Sequence, residues 1–385
     1  MHLLVTGGAG FIGSNFVSQT LRAQLHPGIP KGVRITVLDL LTYASGHEFI
    51  EADIHAYPDR CRLVRGSILD RDLVFDFVNE SDAIVHFAAE SHNDNALHDP
   101  TLFIETNVSG TLNLLEAARE YDKRFHHVST DEVYGDLPLL DPAQAKSAGA
   151  PAQAAQGQAA EGNAQMRRTS APAQDPSAPS KSPTTPAKFT EHSPYRPSSP
   201  YSASKASADH LVNAWVRSFG LNATISNCSN NYGPRQHVEK LIPRTITERL
   251  QGRRPRVYGT GANVRDWIHV DDHNRGIWDV LLRGRAGNTY LIGANGEASN
   301  LEVVRTINEL MGFPANDIEY VKDRPGHDLR YAIDASKIET ELGWRPQHTN
   351  FRAGLNETIE WYEKNRAWWE PSKTATEARL SKWGY

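Results

Sequence analysis

Short runs of aliphatic and β-branched residues punctuate the first part of the chain, over 2–6, 34–39, 62–65, 83–87 and 125–129. Longer stretches over 11–23, 71–79, 102–121 and 202–219 repeat apolar residues at helical spacing. Strands that stay apolar at consecutive positions have both faces covered, and strands alternating with helices build crossover units. The pattern therefore predicts an α/β fold with a doubly wound parallel sheet. From about Gly233, Gly and Pro turns mix with aromatic residues, and two helical segments lie near 300–311 and 354–365. That part reads as a smaller mixed α/β domain closing over the first. The expected division is 1–232 and 233–385, with about 264–284 returning to the first domain.

One tract breaks the pattern. Residues 141–188 are rich in Ala, Pro, Gln and Ser and hold no Val, Ile, Leu, Phe, Tyr or Trp. Such a composition cannot offset the entropy of ordering its backbone, so it reads as a disordered insertion, a spacer rather than a binding element. Lys plus Arg number 41 against 46 Asp plus Glu, a formal charge of −5, which implies no surface for nucleic acid. Two cysteines, Cys61 and Cys228, make no disulfide framework, and no apolar run reaches the ~20 residues that span a bilayer. A cytoplasmic protein without membrane attachment is expected, and no metal.

The first strand runs into Gly7-Gly8-Ala9-Gly10-Phe11-Ile12-Gly13, which opens the first helix. Strand, glycine-rich turn and helix together form the Rossmann-type arrangement, in which a pyrophosphate sits on free N–H groups at a helix N-terminus. The second strand ends at Asp39, where a carboxylate accepts from an adenosine ribose 2′-hydroxyl and repels a 2′-phosphate, favouring NAD over NADP. Further along, Tyr201-Ser202-Ala203-Ser204-Lys205 sets Tyr and Lys one helical turn apart on one face. An ammonium beside a phenol favours the phenolate, so Tyr201 is expected to have a lowered pKa and to take a proton from a sugar hydroxyl as hydride leaves the same carbon.

The segment Phe125-His126-His127-Val128-Ser129-Thr130-Asp131-Glu132-Val133-Tyr134-Gly135-Asp136 resembles the dTDP-glucose 4,6-dehydratases, extended short-chain dehydrogenase/reductases that act on nucleotide sugars. The likeness extends over most of the chain outside the insertion, including His86-Phe87-Ala88-Ala89-Glu90-Ser91-His92, Glu239-Lys240-Leu241-Ile242-Pro243 and Asn263-Val264-Arg265-Asp266-Trp267-Ile268. It implies a lyase that oxidises dTDP-glucose at C4 with NAD, eliminates water across C5 and C6 and returns hydride to C6, in deoxysugar biosynthesis of the dTDP-rhamnose type. In that scheme Thr130 bonds the sugar O4, Asp131 is the acid for the leaving 6-hydroxyl, Glu132 is the base at C5, and Tyr201 and Lys205 keep the roles given above. Mutual repulsion pushes the pKa values of two neighbouring carboxyls apart, which suits an acid and base pair.

The resemblance further implies cofactor contacts at Gly7, Gly10, Phe11, Ile12, Gly13, Asp39, Thr42, Ser67, Ile68, Phe87, Ala88, Ala89, Ser91, Thr106, Tyr201, Lys205 and Asn231. It implies substrate contacts at Ser91, Thr130, Asn230, Lys240, Leu241, Tyr258, Arg265, Asn300, Arg324 and His327, with Tyr258 stacked on the base. It also implies a homodimer in which stretches 102–121 and 202–219 pair with their symmetry mates as a four-helix bundle. A related UDP-sugar dehydratase or epimerase, and a catalytically silent NAD-binding regulatory protein, remain as alternatives. The chain departs from the family's pattern at Ser67, where Asp is common, at Asn93, where an apolar residue is usual, and at Arg235, where Tyr is usual. The last two are expected at the edge of the sugar site.

Overall fold

Every position from the second to the last in β1 (His2–Thr6) and β2 (Arg34–Asp39) is buried, as is the whole of β4 (Ala83–His86). Such strands are stable only in the middle of a covered sheet. They sit there, beside β3 (Cys61–Arg65), β5 (Arg124–Thr130), β6 (Ala223–Cys228) and β10 (Thr289–Ile292), in a seven-stranded sheet of order β10-β6-β5-β4-β1-β2-β3. All its ladders are parallel, with Val5 paired to Val37 on one side and to Val85 on the other. The chain order reverses between β1 and β4, and the crevice at the carboxyl ends of strands beside such a reversal is where α/β folds bind ligands. The structure is a computed structural model that describes residues 1–23, 26–139, 187–323 and 326–382. Met1–Leu137 and Lys188–Tyr385 form one packed unit, the one described below, and Pro138–Ala187 is grouped apart from it. The spacer expected at 141–188 lies outside the described residues except for Ala187 and Lys188.

Helices cover both faces. On one, Phe11–Leu21 packs with Val270–Arg283, where Phe16 stacks on Trp278 with ring centroids 5.5 Å apart and the Trp278 indole N–H donates to Thr20 Oγ1 at 2.8 Å. On the other, Val74, Val78, Leu114, Leu115 and Val212 carry the helices Arg71–Glu80, Thr111–Glu120 and Pro200–Phe219 onto the sheet. Each such side chain, fully buried, stabilises the fold by about 1.5–3 kcal/mol. Two smaller sheets complete the unit: β11 (Glu297–Ser299), β9 (Val264–His269) and β7 (Asn230–Tyr232) in one, β12 (Glu319–Val321) and β8 (Arg256–Tyr258) in the other. Among the described residues no helix is long and apolar enough to cross a membrane.

Three features differ from the pattern read in the sequence. The stretch 102–121 is not one helix: Pro100–Ile104 and Thr111–Glu120 flank a π-helical turn at Glu105–Gly110. There the Asn107 amide donates to Glu90 O at 3.0 Å and to Ser204 Oγ at 2.8 Å, so the widened turn delivers a side chain inward instead of continuing the surface stripe. Strand β6 went unseen because its Ala-Thr-Ile-Ser-Asn-Cys sequence is polar. Burial is tolerable there because Thr224 and Ser226 bond the two ring nitrogens of His126, and Asn227 donates to Thr130 O. Among the described residues after Gly233 six helices form rather than two, the additional ones being Leu241–Leu250, Val270–Arg283, Ser336–Leu342 and Arg366–Lys382. Their stripes are diluted by buried charges that find partners, such as Asp272, which accepts from Gln347 N, His348 N and Arg275.

Candidate active site

The glycine turn is built by close contact of backbone with backbone. Gly7 has φ +70°, and a Cβ there would lie 2.5 Å from Ala88 N; one on Gly13 would lie 2.3 Å from Gly7 O. At Gly10 a Cβ would meet nothing nearer than Gly7 O at 3.4 Å, so the bare backbone there faces open space, not packed protein. Gly10 is also the N-cap of Phe11–Leu21 and provides no side-chain cap, which leaves the N–H groups of the first turn to an anion. This turn forms one end of a cavity of about 750 Å³. Every residue assigned to the cofactor by sequence lines it: the glycines with Phe11 and Ile12, Asp39, Thr42, Ser67, Ile68, Phe87, Ala88, Ala89, Ser91, Thr106, Asn231, Tyr201 and Lys205. Asp39 does two things at once. Its Oδ2 accepts from Ala9 N at 2.9 Å and its Oδ1 from Leu41 N and Ser45 Oγ, both at 2.9 Å, yet each carboxylate oxygen has two acceptor sites and the residue still borders the cavity. Uncapped N–H groups, a glycine facing open space and a buried carboxylate 30 residues beyond fit a dinucleotide such as NAD.

Thr130 ends β5 and caps the short 3-10 turn Asp131–Tyr134, its Oγ1 accepting from Glu132 N at 3.3 Å and donating to Asp131 Oδ1 at 3.4 Å. The two carboxyls leave this turn into different surroundings. Asp131 is 1% exposed, and burial, then the neighbouring Glu132 and Asp266, push its pKa well above the usual carboxyl range against the pull of Arg265. Both causes favour the protonated form, the one that can donate. Glu132 is half-buried and its Oε2 accepts from Asn93 Nδ2 at 3.2 Å.

Tyr201 enters from the first turn of Pro200–Phe219, whose start is fixed by Ser199 and Ser202 as a capping box and by Pro200 at the first helical position. Lys205 follows one turn later and donates to Val128 O at 2.9 Å, with His127 Nε2 at 3.4 Å. Burial brings its pKa down to about 8, against the opposing Asp209 and Cys228. Asp209 lies a turn deeper, held by Ser129 Oγ and Tyr195 OH at 3.0 Å and by Asn227 Nδ2 at 3.2 Å. The expectation that Lys205 lowers the Tyr201 pKa is not met. Burial, then the charges of Glu132, Cys228 and Asp131, raise it well above the usual phenol value, and only a bond to Thr130 pulls the other way. The ammonium is engaged by a carbonyl and a histidine, and the groups that act on the phenol are mainly acidic.

A second cavity of about 170 Å³ shares Ser91, Asn230, Lys240 and Glu132 with the first, and it adds Leu241, Tyr258, Arg265, Asn300 and His327. Apart from Glu132, which was assigned as the base, these with Thr130 are the substrate residues named from the sequence; Arg324 lies outside the described residues. Arg265 is buried under Tyr331, its guanidinium carbon 4.3 Å from the ring centroid, and donates to Val264 O and Asp328 O at 2.8 and 2.9 Å. Arg235 is not at the edge of the sugar site as expected. It adopts φ +68° and turns under the first helix, where Nη1 donates to Ser14 O at 3.0 Å and Nη2 lies 3.8 Å from Asp53. Sequence reasoning missed Glu239, a buried residue on the border of both cavities. Burial alone would raise its carboxyl pKa, but His92 at 3.8 Å and His237 at 3.6 Å, with Lys240, hold it well below the usual range. Its signal was available, since Glu239 stands in a quoted family segment, but its histidine partner at 92 comes from a distant part of the chain. Among the described residues one group has metal-ligand chemistry, His269, His348 and Glu357; it lines neither cavity, and its imidazoles are stacked at 3.9 Å with planes 19° apart.

Comparison with known proteins agrees with this arrangement. The family model for GDP-mannose 4,6 dehydratase matches residues 4–151 and 182–358. The dTDP-glucose 4,6-dehydratase of Mycolicibacterium smegmatis is 53% identical over 384 residues, covering all of both chains. Among solved structures, the dTDP-glucose 4,6-dehydratase DesIV of Streptomyces venezuelae, crystallised with NAD, superposes with a TM-score of 0.81 at 43% identity, covering 97% of this chain and 100% of that one. The Bacillus anthracis enzyme of the same name, also in complex with NAD, gives 0.77 at 40% identity over 97% of this chain and 99% of that one. With paired carboxyls beside a Tyr and Lys helix, a glycine turn bordering a large cavity, and relatives matching it from end to end, the chain belongs to the family of dTDP-glucose 4,6-dehydratases.

Proposed function

We propose that this chain dehydrates dTDP-glucose to dTDP-4-keto-6-deoxyglucose and water, with NAD in the larger cavity and the sugar nucleotide reaching into the smaller one. NAD, when bound, supplies the acceptor and donor of hydride. Thr130 and Tyr201 hold the sugar O4, and Tyr201 carries its proton away. Once C4 is a ketone the C5 proton is acidic; Glu132 removes it, and Asp131 delivers a proton to O6 so that water leaves. Lys205 keeps a positive charge under the helix turn that carries Tyr201. The observation that carries this reading is the division within one turn: Asp131 is buried, with its carboxyl pKa pushed up, while its neighbour Glu132 is half-buried and receives an N–H donor. An epimerase has no use for that division. Arg265, Asn300, His327 and Lys240 would bind the nucleotide, because guanidinium and amide donors suit a pyrophosphate, and Tyr258 offers a ring face to a pyrimidine.

Residues 1–232 would serve NAD and 233–385 the sugar nucleotide, with 264–284 returning to the first part; Val270–Arg283 packed on Phe11–Leu21 favours this. Pairing of two copies through the helices around 102–121 and 202–219 is favoured by Leu102, Ile104 and Phe219, which are 40%, 48% and 51% exposed. Sedimentation is expected to give twice the 42.8 kDa chain mass, and a monomer at micromolar concentration would remove the dimer. A cytoplasmic site suits the two buried free cysteines. Incubation with dTDP-glucose or UDP-glucose, followed by the alkali-induced absorbance of a 4-keto sugar, tests the whole reading. Signal from dTDP-glucose is expected, and its absence would defeat the proposal.

A further inference from the structure

Asn93 occupies a position where an apolar residue is usual in the family, and the expected activity gives it no task. In the structure its side chain is engaged at both ends. Nδ2 donates to Glu132 Oε2 at 3.2 Å, and Oδ1 accepts from Ser199 Oγ at 3.0 Å. Ser199 is the N-cap of the helix that carries Tyr201, and its Oγ also accepts from Ser202 N at 3.1 Å. Ser199 Oγ also lies 2.9 Å from Ser202 Oγ, whose own hydroxyl can donate to it, which leaves the Ser199 hydroxyl for Asn93 Oδ1 and the Asn93 N–H for the carboxylate. A carboxylate can accept this bond in its ionised form, the form needed to take a proton from carbon. With Oε2 held, Oε1 is the oxygen left for the substrate.

We propose that Asn93 is a positioning residue for the elimination step: it holds Glu132 aimed and registers it against the cap of the Tyr201 helix, so that the base for C5 and the base for O4 keep a fixed separation. The proposal rests on the reading of Glu132 as the C5 base. Several other groups face Glu132. Asp131 precedes it on its own turn, the Tyr201 and Tyr331 phenols feel its charge, and Arg265, Asp94, Glu239 and Lys240 line the same cavity. Of these, the carboxyls work against a second ionised carboxyl. A neutral amide at 93 holds the Glu132 carboxyl by a hydrogen bond without adding a cation beside Asp131.

The test compares Asn93→Val, Asn93→Thr and Asn93→Asp with Glu132→Gln, each as the NAD-loaded enzyme. Three quantities are read: reduction of the nicotinamide on mixing with dTDP-glucose, deuterium entering C5 from heavy water, and steady-state kcat and KM. For Asn93→Val we expect kcat to fall by about 10-fold to 10²-fold, KM to hold within about twofold, and nicotinamide reduction to keep its rate while C5 exchange slows. Asn93→Thr, of similar shape but with a hydroxyl, should recover part of the loss, and Asn93→Asp, which sets a second carboxyl against Glu132, should slow C5 exchange further than Val does. C5 exchange at the parent's rate in both Val and Asp variants would overturn the proposal, and so would reduction and exchange slowing in equal proportion. Should Glu132→Gln exchange C5 as fast as the parent, the base assignment itself is lost, and that outcome is read independently of any Asn93 variant.

Discussion

The two cavities are made by opposite means. The larger cavity is a backbone object: one end comes from the turn Gly7 to Gly13, of which Gly7, Gly10, Phe11, Ile12 and Gly13 line it, and the other from the turn after β2, each lying directly on a buried parallel strand. The smaller cavity is a side-chain object, with Tyr258, Arg265, Asn300 and His327 arriving from four separate segments. Its geometry is kept by contacts such as Arg265 to Asp328 O at 2.9 Å and His327 Nδ1 to Asp323 Oδ1 at 2.8 Å. A backbone cradle has no partial form, since one misplaced atom closes it. A side-chain cavity loses contacts one at a time, so damage there is graded.

That contrast is testable by substitution, beginning where the loss should be greatest. Gly13→Ala places a methyl 2.3 Å from Gly7 O, and the protein should purify without NAD and without turnover. Retention of NAD by this variant would show that the cradle yields. Glu132→Gln leaves both cavities intact and removes one base; turnover should drop by about 10²-fold to 10⁴-fold with oxidation at C4 preserved, and unchanged dehydration would take Glu132 out of the mechanism. Arg265→Ala should show the graded behaviour, raising KM for the sugar nucleotide by about 10-fold to 10²-fold, in line with the roughly 1.5–3 kcal/mol of a charged hydrogen bond, while NAD content stays constant. A loss of NAD in that variant would mean the cavities are not separable. The Lys205 ammonium is present below its pKa of about 8 and lost above it, so turnover should decline as pH rises through that value. Lys205→Met should abolish that basic limb, and persistence of the limb would assign it to another group. The smallest effect is expected at Asp39→Ser, which should relax discrimination against NADP and cost about 1 kcal/mol of stability, because the carboxylate also ties down its own turn. A variant as strict for NAD as the parent would leave Asp39 with the turn alone.

The same contrast decides what could be read from the sequence. Strands β1 and β2 follow the sequence pattern to the residue, and Gly7, Gly10, Gly13 and Asp39 line the larger cavity as expected, because those features depend on neighbours in the chain. The pair Asp131 and Glu132 was found for the same reason, being adjacent at a strand end. What escaped depends on partners far along the chain. Strand β6 hides behind Thr224, Ser226 and Asn227, whose burial is permitted only by residues of β5 and by Asp209. The raised Tyr201 pKa could not be foreseen from its spacing to Lys205, since it depends on where the ammonium points and on which charges surround the phenol. Arg235 was misplaced because its φ of +68° turns the side chain away from the direction its position in the motif suggests.

Strand β10 bears on any attempt to divide the enzyme. It is drawn from 289–292, well past the point where the cofactor residues end, and it pairs with β6 through Thr289 to Ile225 and onward to Ile292 with Cys228. A gene fragment stopping at 232 would leave β6 as a bare sheet margin, its ladder donors and acceptors open to the same margin of another molecule, and would strip Trp278 from the face that Phe16 covers. Such a fragment should be recovered as aggregate, and co-expression with the remainder of the chain should return it to solution. The first 232 residues are therefore not a cassette to be moved between enzymes, because the polypeptide has to run on to residue 292 before the sheet under the glycine turn is finished.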